Sequence, residues 1–215
     1  MLFWLIKAIE VYGNFDFSSW GVMPRSVSGL KGILTSPFIH VDWLHLFSNT
    51  FPLLILGTCL FYFYGKIAGE VLFWSWLMCG LWLWIFGRES YHIGASGIIY
   101  ALSSFLFFSG VIKRSIPLAA VSLIVVFLYG SLIWGVLPID PQVSWEGHLT
   151  GAVAGLVNAI FFRKKGPVRE KQQEPDGEDE DPDPDDSNPY WMEGTEEIDE
   201  EARPLNIRYH FRKKE

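Results

Sequence analysis

The sequence has little of what a disulfide-built or nucleic-acid-binding protein needs. Two cysteines occur in 215 residues, Cys59 and Cys79, and both lie inside apolar runs. Buried thiols are expected there, with no disulfide framework. Charge is scarce over most of the chain. Residues 1–169 hold 11 Lys/Arg and 7 Asp/Glu, whereas residues 170–201 alone hold 16 of the 24 acidic side chains. The net charge of −7 is therefore the charge of a tail, and an acidic tail speaks against nucleic acid as a partner. The N-terminus has no basic start followed by a small-residue cleavage site, so no cleavable signal peptide is expected. There is no solenoid-type repeat and no His-Glu-x-x-His.

What is present is apolar. Half of the residues are hydrophobic, with 17 Phe and 10 Trp, and they gather into several runs long enough to suggest membrane crossing. The pattern predicts helices over about His45 to Tyr64, Ala68 to Phe86, Ser96 to Ile112, Ile116 to Val136 and Ser144 to Phe162. Met1 to Tyr12 is apolar but short and interrupted by Lys7 and Glu10; it reads as the end of a first span whose beginning is missing, ahead of an interfacial loop over Gly13 to Ile39. Counting that piece gives six spans. Lys66, Lys113-Arg114 and Arg163-Lys164-Lys165 then share one side, which should be the cytoplasm. The expected organisation is all-α: a polytopic membrane domain over residues 1–165 and an acidic, mostly disordered cytoplasmic tail over 166–215.

Polar groups inside a bilayer are costly, so each is a functional candidate until explained. Counted back from the basic residue that closes each helix, Asn49 and Ser96 lie 17 residues deep and His148 lies 15 deep. At the rise of an α-helix these are depths of roughly 22–26 Å, one layer in the outer leaflet. His45 is one turn above Asn49 on the same face. Ser96 lies within Gly94-Ala95-Ser96-Gly97, a serine between permissive glycines at a loop-to-helix junction. Gly151-xxx-Gly155 follows His148 on one face, and Gly97, Ala101 and Ser104 offer a matching small stripe, so the two helices can approach closely.

A serine needs a base, and a neutral histidine is one. Glu146 is on another helix face from His148, so a Ser–His dyad is read rather than a triad. Ser96 would attack a carbonyl while His148 moves the proton. Asn49, His45 and the Ser96 backbone N–H are candidate donors to the oxyanion. Tyr100 is placed to stack on the His148 ring, although an ordinary membrane tyrosine accounts for it equally well. A rival metal site of His40, Asp42, His45 and His92 leaves Ser96 and His148 idle. No metal and no cofactor is expected.

Lys31-Gly32-Ile33-Leu34-Thr35-Ser36-Pro37-Phe38-Ile39-His40, His45-x-x-x-Asn49, Gly94-Ala95-Ser96-Gly97 with Tyr100, and His148-x-x-Gly151-x-x-x-Gly155 together resemble the rhomboid intramembrane serine proteases. The resemblance covers about residues 33 to 160 and implies a six-helix bundle with a water-filled cavity. It implies Ser96 as nucleophile, His148 as base, His45 and Asn49 at the oxyanion hole, Tyr100 against the base and His40 as a structural residue of the first long loop. It further implies substrates that are single-span membrane proteins, cleaved near helix-breaking residues. A bacterial inner membrane is the expected location. The family often has Trp-Arg where this chain has Lys31-Gly32. A catalytically silent relative that binds membrane clients is the alternative, although such relatives usually lack the serine or the histidine.

Overall fold

The structure, a computed structural model, describes residues 2–128, 135–140 and 142–166. The expected disordered tail lies outside the described residues. Seven α-helices are found among those described, with no β-strand: α1 Leu2–Tyr12, α2 Gly32–Thr35, α3 Trp43–Tyr64, α4 Ala68–Phe86, α5 Ser96–Lys113, α6 Ile116–Leu128 and α7 Trp145–Phe161. Helices α3, α4 and α5 are long and apolar enough to cross a membrane. Among the described residues these three meet that measure, and part of the expected span Ile116 to Val136, residues 129–134, lies outside them. α1 has 11 residues and α7 has 17, and 13 residues of α6 are described. The predicted fifth helix also runs too far, since Gly135 and Val136 lie in a turn. Glycine there and Pro138 soon after favour a turn over a helical end.

Helix α5 is the axis of the bundle. Of its most apolar 18-residue window 61% is buried, against 28% for α3 and for α4. Its Ile99, Leu102, Phe105 and Leu106 pack with Leu56 and Leu60 of α3, Val71 of α4 and Ala159 of α7. Bilayer lipid is as apolar as leucine, so close packing and internal polar bonds hold such a bundle rather than escape from water. The small residues supply the packing. A Cβ on Gly151 would strike the Gly97 carbonyl oxygen, and one on Gly155 would strike that of Ala101. The polar bonds include Asn158 Nδ2 of α7 to Ser75 Oγ of α4 at 3.0 Å, and Ser104 Oγ of α5 to the Ala152 carbonyl at 2.6 Å. At one end Lys113 Nζ donates to the Lys165 carbonyl at 2.6 Å and Lys165 Nζ lies 3.8 Å from Glu70. The basic residues that close α5 and follow α7 thus do share an end.

The charges that interrupt the N-terminal segment do something the sequence did not suggest. Lys7 and Glu10 are turned inward, buried, and paired at 2.9 Å. Lys7 Nζ also donates to the His40 and Val41 carbonyls at 3.0 and 2.9 Å, and Glu10 accepts from the Phe17 N–H at 3.2 Å. A buried charge is tolerable only when so partnered. α1 is thereby locked to the segment that enters α3. The first long loop is equally anchored: Trp84 Nε1 donates to Ser26 O, Trp76 Nε1 to Ile33 O and Arg25 Nη1 to Gly87 O, each at 2.8 Å. Gly32, one of the two departures from the family pattern, sits against the Gly21 carbonyl, where a side chain has no room. Lys31, the other, holds its Nζ 5.0 Å from the Trp20 ring.

Candidate active site

Ser96 is the first residue of α5, and its hydroxyl Oγ lies 2.8 Å from His148 Nε2 near the start of α7. The tautomer follows from the other ring nitrogen. His148 Nδ1 is 2.8 Å from the Gly135 carbonyl oxygen, which can only accept. Nδ1 therefore carries the hydrogen and Nε2 presents a lone pair to the serine. The orienting group is thus a backbone carbonyl in place of a carboxylate. Glu146 is buried and directed elsewhere, with its Oε1 3.7 Å from Arg88 Nε. Tyr100 lies face to face with the His148 ring, centroids 4.2 Å apart and planes 15° from parallel. The stacking reading, left open by the sequence, is the one the structure shows.

Opposite the serine stands the start of α3. Asp42 caps that helix, accepting from the His45 N–H at 2.7 Å. Asn49 is buried, and its Nδ2 donates one hydrogen to the His45 carbonyl at 3.0 Å, leaving a second on the same nitrogen. Gly94 has φ +111°, a backbone conformation that suits glycine. A Cβ there would lie 2.8 Å from His45 Cε1, 3.0 Å from His45 Nε2 and 3.9 Å from Asn49 Nδ2. The bare Gly94 thus keeps open the space between the serine loop and the donors of α3. The Gly94 N–H donates to the Ser36 carbonyl at 2.9 Å, which ties this loop to the first long loop. Gly97 faces Cys79 Sγ of α4 and the Gly147 carbonyl of α7, where the three helices meet. A helix start leaves its first N–H groups unbonded within the helix, so the Ser96 amide is a further free donor at the positive end of α5.

His40 is behind this layer. Its ring is buried and lies edge-on to His45 with centroids 5.1 Å apart. Burial lowers its pKa to about 4. The rival metal set does not assemble. Among the described residues no group of three or more His, Cys, Asp or Glu is arranged to hold a metal ion, and His92 turns to Ser144 and the Arg88 carbonyl. Those contacts, and the Gly135 carbonyl, were missed from the sequence. A backbone acceptor in a turn leaves no side-chain signal, and nothing in residue type or spacing pairs His92 with Ser144, 52 residues further on.

A cavity of about 30 Å³ opens beside Ser96, lined also by Ser36, Cys79, His92, Ser144 and Gly147. The assembled groups are a hydroxyl with an imidazole lone pair beside it, and a histidine ring and an amide of α3 close to Gly94, two residues before that hydroxyl.

Comparison with known proteins agrees with this architecture. The family model of the rhomboid domain matches residues 28–165. An uncharacterized protein of Mycobacterium tuberculosis is 36% identical over 175 residues, covering 75% of this chain and 71% of the relative. A protein of Mycobacterium leprae, also uncharacterized, is 32% identical over 176 residues, covering 75% and 67%. A protein of Acanthamoeba polyphaga mimivirus whose name carries the word rhomboid is 26% identical over 153 residues, covering 63% of this chain and 77% of its own length. This chain is a membrane protein of the rhomboid family.

Proposed function

We propose that the chain is an intramembrane serine endopeptidase that cleaves transmembrane segments of single-span proteins with a Ser96–His148 dyad. The observation that carries this reading is the 2.8 Å contact from His148 Nε2 to Ser96 Oγ, with Nδ1 held by the Gly135 carbonyl. In the first half-reaction Ser96 Oγ attacks the scissile carbonyl carbon while Nε2 accepts the hydroxyl proton. The oxyanion so formed is held by Asn49 Nδ2, His45 and the Ser96 N–H. The C–N bond then breaks and the leaving amine takes the proton from Nε2. A water then attacks the acyl-enzyme carbonyl, giving up its proton to Nε2; the C–Oγ bond breaks, Ser96 Oγ takes that proton back from Nε2, and the new C-terminus departs as a carboxylic acid. Tyr100 holds the imidazole face through both halves. His40, beneath His45, and Gly94 keep the donor side in shape.

The substrate enters from lipid, and the basic end of the bundle faces the cytoplasm of a bacterial inner membrane, with the tail on that side. No step calls for a metal or a cofactor. The test is cleavage of a single-span substrate carrying a helix-breaking residue, co-reconstituted in liposomes with the full chain or its Ser96→Ala variant. Cleavage by the wild type alone is expected. Equal handling by both, or cleavage by neither across several substrates, would instead assign a client-binding role.

A further inference from the structure

The described residues hold a second Ser–His hydrogen bond that the chemistry above leaves unused. His92 Nδ1 lies 2.6 Å from Ser144 Oγ. His92 Nε2 lies 3.1 Å from the Arg88 carbonyl oxygen and 3.4 Å from Ser90 Oγ. The carbonyl can only accept, so Nε2 carries the hydrogen and Nδ1 the lone pair, and the Ser144 hydroxyl is the donor. Burial moves the His92 pKa down from the ordinary histidine value, which favours this neutral ring.

The placement of the bond is what gives it meaning. His92 precedes Ser96 by four residues, and Ser144 precedes His148 by four. On one side, His92 exchanges two backbone hydrogen bonds of 2.9 Å with Val22, which fixes the loop that delivers Ser96. On the other, the Ser144 carbonyl accepts from the His148 N–H at 3.1 Å, within the first turn of α7. Ser144 occupies the N-cap position of α7, yet its side chain makes no capping bond; the hydroxyl goes to His92. Arg88 of the same loop reinforces the tie, with Nη2 donating to the Val143 carbonyl at 2.8 Å and Nε facing the buried Glu146. Both dyad side chains are short, so their contact depends on how far apart the starts of α5 and α7 are held.

We propose that the His92–Ser144 hydrogen bond is a positioning latch that sets the spacing of the α5 and α7 starts and so keeps Ser96 and His148 in reacting distance. The proposal rests on the proteolytic reading of the Ser96 site. His92 and Ser144 are positioning residues that act through the dyad.

The test is turnover of a reconstituted single-span substrate by the full chain and by Ser144→Ala, His92→Leu, the double variant and His92→Asn. An asparagine offers an acceptor oxygen to Ser144 and an amide hydrogen to the Arg88 carbonyl. Ser144→Ala and His92→Leu should each lower kcat about tenfold with KM unchanged, the loss expected when one bond that orients the reacting groups is removed. The double variant should be no worse than the poorer single, and His92→Asn should restore most of the turnover. Wild-type kcat in both singles overturns the latch and leaves the protease reading intact. Multiplied losses in the double variant, or equal loss in His92→Asn and His92→Leu, also overturn it. A wild type that cleaves nothing and takes no fluorophosphonate at Ser96 overturns both readings. Should His92→Leu fail to fold, Ser144→Ala, which removes a single oxygen atom, decides on its kcat.

Discussion

Ser96 and Ser144 each hold a histidine nitrogen, at 2.8 and 2.6 Å, yet the surroundings of the two hydroxyls differ. Ser96 opens an 18-residue helix, and across from it the His45 ring and the Asn49 amide lie against Gly94. Its histidine is oriented by the Gly135 carbonyl and covered by Tyr100. Ser144 stands before α7, and its histidine is backed by the Arg88 carbonyl. A serine beside an imidazole is therefore not enough to mark a nucleophile. On the proposed reading, what separates the two is the His45 ring and the Asn49 amide close to Gly94 on the Ser96 side, offered as donors where negative charge would develop; such donors are commonly the largest single contribution to acyl-transfer catalysis.

The largest effect expected from this contrast is a loss of at least about 10³-fold in cleavage for Ser96→Ala, against about tenfold for Ser144→Ala. Equal losses in a liposome cleavage assay would erase the distinction between the two pairs. His148→Ala should match Ser96→Ala, and combining them should add nothing, because the two groups act as one unit.

The donor side offers a sharper cut. Gly94→Ala places a methyl group against His45 at a backbone angle that disfavours any side chain, and should lower kcat by about 10²-fold. Asn49→Ala should cost about 10²-fold or less, since the Ser96 N–H and His45 remain. Kinetics of both variants on one substrate would check the order, and a loss for Asn49→Ala as deep as for Ser96→Ala would break it.

The smallest expected effect is on stability, at His40 behind the donors. Its folded pKa is lowered to about 4 from an ordinary value of 6.5. A histidine that resists protonation in the fold contributes stability fully above the unfolded value. That contribution is lost as pH falls from 6.5 toward 4, by at most about 1.4 kcal/mol per unit. The thermal midpoint in detergent should fall between pH 7 and pH 5, and His40→Asn should flatten the fall. An unchanged slope in the variant would remove His40 from this role.

Much of the site was legible because lipid makes polar residues conspicuous. Asn49, Ser96 and His148 stood out at one depth against apolar neighbours, and the glycines after His148 marked where backbones touch. The helices α3, α4 and α5 were equally plain, bounded by Lys66, Arg88 and Lys113. Less visible was anything settled by backbone atoms or loops. The Gly135 carbonyl that sets the His148 tautomer leaves no trace in residue type. Lys7 and Glu10 looked like interruptions of an apolar stretch, whereas three-dimensional pairing buries them under the first loop. The end of α6 was overrun because apolar composition continues past the point where Gly135 and Pro138 turn the chain.

The most direct measurement is fluorophosphonate labelling of the full chain in a bilayer, with the modified residue mapped by mass spectrometry. The predicted result is a single adduct on Ser96 that is lost in His148→Ala and retained, more slowly formed, in Ser144→Ala. An adduct on Ser144, or none on Ser96 in a folded wild type, would contradict the assignment of the dyad.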